Sequence, residues 1–97
     1  MQKNADKDLP TRRKRLIFRS CHRGIQEMDI LLGCFVKLHV EKFSHDDCQW
    51  FETLFEEVDH DIQNWITGKA PVPAEFDCAF MDGMKKMDYI PFTKPIQ

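Results

Sequence analysis

An all-α fold, a small five-helix bundle, is predicted by three observations on this 97-residue chain. Apolar residues recur at three- and four-residue spacing in several segments, which is the period of one helix face. Start and stop signals divide those segments into short helices. No stretch alternates polar and apolar residues for long enough to form a strand. The length allows one compact core and no separate catalytic domain. A hydrophobic share of 42% can fill such a core, while 31% charged residues exclude a wholly apolar chain.

Residues 1–10 are polar and end at Pro10, so they read as a disordered leader. A single domain is expected over 11–89, with a flexible tail over 90–97 that Pro91 and Pro95 keep out of helix. The first helix is expected to start at Thr11 as N-cap, to carry Leu16, Ile17, Ser20 and Cys21 on a narrow stripe, and to end at Gly24. Ile25, Met28, Leu31, Leu32, Phe35, Val36, His39 and Phe43 form the longest stripe and predict the second helix. Gly33 lies within that stripe and costs about 1 kcal/mol against alanine, so it marks close approach of a neighbouring helix. Ser44 and Asp47 have the spacing of a capping box, and Cys48, Phe51, Leu54, Phe55 and Val58 continue as the third stripe. Asp59 is placed to cap a fourth helix with Ile62, Trp65 and Ile66 inward, closed by Gly68 with Pro71 and Pro73 beyond it. The fifth helix is expected to begin at Pro73 or Ala74, with Phe76, Ala79, Phe80, Gly83, Met84 and Met87 on its inner face.

Several function classes have little to stand on. No apolar run approaches the roughly 20 residues of a membrane-spanning helix, and Asp6 and Asp8 precede the basic region, unlike a mitochondrial presequence. A cytoplasmic location without membrane insertion is the expectation. Cys21, Cys34, Cys48 and Cys78 are widely separated and include no C-x-x-C pair, so they read as packing thiols and not as metal ligands. There is no phosphate loop, nucleophile elbow or H-E-x-x-H pair, and the scattered histidines form no acid/base site, so no catalytic residue is assigned.

Charge is unevenly distributed. Residues 1–24 sum to +6 and residues 25–97 to −8, so the two parts face different partners or each other. The run Arg12-Arg13-Lys14-Arg15 with Arg19 and Arg23 suggests an alternative, a basic-helix nucleic-acid-binding or regulatory protein. Phe18 is the only aromatic on that face, however, and the acidic remainder would repel nucleic acid, so none is expected as a partner.

The most unusual segment is His22-Arg23-Gly24-Ile25-Gln26-Glu27-Met28-Asp29, a glycine between two helices flanked by charges of both signs. Glycine permits a left-handed backbone and a close approach to the main chain. Here the sequence resembles the FAD assembly factors of succinate dehydrogenase, whose signature is R-G-x-x-E followed by an apolar residue and aspartate. The similarity runs upstream through Arg12 to Ser20 and downstream through Leu31-Leu32-Gly33. It returns at Asp59 to Gly68 and Ala70 to Asp77, covering residues 11–88 in order. His22 stands where many members have arginine.

The resemblance implies a five-helix protein, not an enzyme, that binds the flavoprotein subunit of succinate dehydrogenase and promotes covalent attachment of FAD to it. A fumarate reductase flavoprotein is implied as a second client. No cofactor is expected to be bound stably, since FAD belongs to the client. Arg23, Gly24, Glu27 and Asp29 carry over as partner contacts, with Arg19 and His22 beside them. Gly24→Arg is expected to exclude the partner while sparing the fold.

Overall fold

The computed structural model describes residues 8–90, and the expected leader over 1–7 and tail over 91–97 lie outside them. Five α-helices follow one another: α1 Leu9–Cys21, α2 Gln26–His39, α3 His45–Leu54, α4 Asp59–Thr67 and α5 Ala79–Lys86. Single turns of 3-10 helix at Val40–Lys42 and Ala74–Phe76 complete the order, and there is no strand among the described residues. None of these helices is long and apolar enough to cross a membrane.

α1 starts earlier than the sequence predicts. Asp8, not Thr11, is its N-cap, and its carboxylate accepts from the Thr11 amide at 3.2 Å and from the Thr11 hydroxyl. Pro10 sits inside the first turn, where a missing N–H costs nothing, so it does not bar the helix. The hydrogen bonds from Thr11 hold the Asp8 carboxyl below its ordinary value. The first helix packs mainly on α2, and also on α3. Gly33 makes the first of these contacts possible: a Cβ there would lie 2.8 Å from Cys21 Sγ. The close approach read from the sequence is therefore between α2 and the end of α1.

α2 buries Met28, Leu31, Leu32, Phe35 and Val36, but ends at His39 and not near Phe43. The chain tightens through the 3-10 turn and delivers Phe43 to the core against Phe51, with ring centroids 4.9 Å apart. Ser44 then caps α3 with both halves of the capping box, the Asp47 amide donating to its hydroxyl at 3.1 Å and its own amide to the Asp47 carboxylate at 3.0 Å. α3 stops at Leu54. Val58, read as inward by its spacing from Phe51, Leu54 and Phe55, is instead the N-cap of α4 and is 64% exposed. Asp59 is consequently the first residue of α4 and makes no capping bond. Gly68 closes α4 at φ 81, and the amides of Lys69 and Ala70 donate back to the Asn64 carbonyl.

The expected fifth helix is broken in two. Ala74–Phe76 makes a 3-10 turn that buries Phe76, and Asp77 and Cys78 are extended before α5 begins. That break shifts the helical phase, so Met81 and Met84 are buried while Ala79 is exposed. Phe80, Gly83 and Met87 are half-buried, with Phe35 packed 3.1 Å from the position of a Gly83 Cβ. The chain remains packed to the end of the described residues: the Tyr89 hydroxyl donates to the Leu31 carbonyl at 2.9 Å, and Ile90 is buried. Burial raises the Tyr89 hydroxyl above its ordinary value. It likewise raises the Cys48 thiol, which makes that thiol a poor nucleophile.

Candidate functional site

The turn joining α1 to α2 is His22 to Ile25, with Gly24 at φ 102 and Ile25 extended as the N-cap of α2. Nothing lies within 4 Å of a Cβ built on Gly24. The backbone therefore demands glycine, although the surrounding space does not. Gly24→Ala is expected to cost about 1–2 kcal/mol by forcing an L-residue into this region, read as a lower melting temperature in circular dichroism. For the same reason Gly24→Arg adds backbone strain to the exclusion of a partner that the sequence reading expects of it. It tests strain and exclusion together.

Asp29, one turn into α2, reaches back so that its carboxylate accepts from the Arg23 amide at 2.6 Å. The Arg23 side chain crosses to the turn between α3 and α4. Its Nε donates to Asp59 Oδ1 at 2.7 Å, its Nη1 to the Phe55 carbonyl at 2.8 Å and its Nη2 to the Glu57 carbonyl at 3.1 Å. The guanidinium also lies over the Phe55 ring, 5.4 Å from its centroid. Both members of the ion pair are largely withdrawn from water, with 11% and 17% of their side chains exposed. The planar fork that the sequence reading aimed at a partner is thus occupied by this chain's own carboxylate and carbonyls. Arg23 and Asp29 brace the turn, and they leave Gly24 and Glu27 facing solvent.

Arg19 and His22 flank the brace. Arg19 Nη2 bonds Glu56 Oε2 at 3.0 Å, and because Glu56 is 73% exposed this pair contributes little, about 0–1 kcal/mol. His22 is exposed, stacks on Phe18 with centroids 4.1 Å apart, and hydrogen-bonds the Phe18 carbonyl through Nδ1 at 2.7 Å. Phe18, Arg19, His22, Arg23 and Asp59 line a shallow recess of about 270 Å³. Glu27 also lines an apolar groove of about 230 Å³, together with Ile30, Leu31 and Met87.

The charge asymmetry is largely closed within the molecule. Arg12 is buried and binds Glu52 through two hydrogen bonds, Arg13 donates to the Phe43 carbonyl, Arg19 meets Glu56 and Arg23 meets Asp59. Lys14 and Arg15 on the same helix are exposed. Asp59, Phe55 and Glu57 are the residues that sequence reasoning missed at this site. Their only signal was an acidic, carbonyl-rich turn opposite a basic helix, 32 to 36 positions away from Arg23. Among the described residues no three His, Cys, Asp or Glu side chains are grouped to hold a metal ion.

Residues 14–88, which include the brace and almost all of the described fold, match the family model described as flavinator of succinate dehydrogenase. The chain is 38% identical over 74 residues to a protein of Dictyostelium discoideum named succinate dehydrogenase assembly factor 2, mitochondrial, covering 76% of this chain and 52% of that one. It is 37% identical over 71 residues to the FAD assembly factor SdhE of Acetobacter pasteurianus, covering 73% of this chain and 65% of that one. A Drosophila virilis protein, also named succinate dehydrogenase assembly factor 2, mitochondrial, is 36% identical over 83 residues, 84% of this chain and 52% of its own. The chain therefore spans between half and two thirds of the length of these relatives.

Proposed function

The chain belongs to the succinate dehydrogenase flavinator family, a family of assembly factors with a chaperone-like and not a catalytic role, and on that premise we propose that it binds the flavoprotein subunit of succinate dehydrogenase and promotes covalent attachment of FAD to it. The observation that carries this reading is a family match running through all five helices, with the Arg23–Gly24 turn of the signature held rigid at the surface. FAD belongs to the client in this reading, and the flavin chemistry is the client's own. The factor's contribution is to hold the client in a geometry where the flavin and its acceptor side chain meet, which lowers a barrier by orientation alone.

Gly24 and Glu27 are the signature residues this surface offers to a client, with His22 and Arg19 at its edge. Arg23 and Asp29 serve the contact indirectly by fixing the turn. A fumarate reductase flavoprotein as second client and a cytoplasmic location both belong to the proposal; the Dictyostelium and Drosophila relatives carry the word mitochondrial in their names, while the Acetobacter relative does not. A nucleic-acid role is not favoured, since Arg12, Arg13 and Arg23 are engaged inside the fold and Arg19 is paired with Glu56 at the surface.

The test is covalent flavin on the purified flavoprotein subunit, read by in-gel fluorescence under denaturing conditions with and without this protein. A clear gain is expected, and Glu27→Lys, at an exposed position in the first turn of α2, is expected to remove it with only the small fall in melting temperature that a reversed charge at a helix N-terminus brings. No gain with folded client and ample FAD would overturn the reading.

A further inference from the structure

Four large apolar side chains are conspicuously exposed among the described residues: Phe18 at 62%, Ile25 at 45%, Leu38 at 62% and Val58 at 64%. Three of them surround the braced turn. Ile25 follows Gly24 directly. Phe18 lines the recess formed with Arg23 and Asp59, and Val58 immediately precedes Asp59. Leu38 lies near the far end of α2.

We propose that Phe18 and Val58, which lie outside the signature, are the apolar anchors of the client interface, with the Phe18 ring entering an apolar concavity on the flavoprotein subunit. The proposal rests on the reading above and adds contacts from two further elements, α1 and the α3–α4 turn.

Both side chains are exposed and yet held in place. The Phe18 ring is stacked on His22 at an interplanar angle of 19°, and His22 is itself tied to the Phe18 carbonyl. Val58 is carried between two residues that the Arg23 guanidinium grips, Glu57 through its carbonyl and Asp59 through its carboxylate. A rigid aromatic that loses little rotamer freedom on docking is the type of residue that dominates interface energetics. Arg19 and His22, which line the recess with Phe18, and Glu56, which pairs with Arg19, supply the polar groups that an interface keeps beside its apolar residues. The client is the occupant that fits, because the recess that Phe18 lines is shared with Arg23 of the signature and with Asp59 next to Val58.

The experiment is a binding titration of the full chain and its variants onto the purified flavoprotein subunit of succinate dehydrogenase, with melting curves alongside. Phe18→Ala is expected to weaken binding about 10- to 30-fold and Val58→Ser several-fold, with melting not lowered, because both side chains face water and serine caps the N-terminus of α4 better than valine. Leu38→Ala, equally exposed but remote, is expected to bind as the parent does. Parent-like binding by Phe18→Ala and Val58→Ser, or an equal loss in Leu38→Ala, would overturn the proposal while leaving the function intact. An unmodified protein that does not bind the flavoprotein would overturn both.

Discussion

Arg23→Ala is expected to destabilise the protein by about 3 kcal/mol, the cost of removing one partner from a mostly buried, hydrogen-bonded ion pair. The substitution strands the Asp59 carboxylate and withdraws donors from the Phe55 and Glu57 carbonyls, which close the C-terminal end of α3. For a domain of this size the loss corresponds to a fall of about 12–24 °C in melting temperature. Arg23→Lys keeps the charge but not the fork, so it cannot serve a carboxylate and two carbonyls at once, and most of the loss is expected to remain. Circular dichroism melts of the two variants, with Asp59→Asn as the opposite member of the pair, measure this directly. A change of only a few degrees, accompanied by loss of client binding, would show that Arg23 acts at the interface and not within the fold.

That prediction runs against the simplest use of the signature, and the reason lies in what a sequence displays. Local devices are legible because their parts are three or four residues apart: the Ser44–Asp47 capping box and the left-handed stop at Gly68 both appear where the spacing places them. The partners of Arg23 are 32 to 36 residues distant, and no periodicity links an arginine to backbone carbonyls in a turn between two other helices. The signature thus located the turn correctly, but its arginine, read as a partner contact, turns inward.

The errors in the fold have a common origin as well. Phe51, Leu54, Phe55 and Val58 keep helical spacing across a point where the helix has already ended, and Phe76 to Met84 keep it across the extended residues Asp77 and Cys78. Spacing reports a face only while the backbone stays helical. Pro10 misled in the opposite direction, since it looked like a boundary but occupies the first turn, where its missing amide is harmless.

Glu52→Ala is expected to give the second large effect, about 2–3 kcal/mol, through the other long-range charge contact of α1. Arg12 is only 6% exposed, and its guanidinium meets Glu52 side-on, Nε to Oε2 at 3.0 Å and Nη2 to Oε1 at 2.6 Å. Its Nη1 donates to His45 Nδ1 at 3.0 Å, because arginine has no acceptor to offer. The paired geometry ties α1 to α3 at two points on one carboxylate, and removing Glu52 leaves the arginine charge in a poorly hydrated position. Glu52 is 26% exposed, so water recovers part of the loss and the cost falls below that of a fully buried pair. Arg12→Leu combined with Glu52→Leu is expected to be less damaging than Glu52→Ala alone, since an apolar pair removes both desolvation terms together. Urea melts of the single and double variants supply the comparison. A double variant less stable than Glu52→Ala would mean that the charged pair itself contributes net stability in holding α1 against α3.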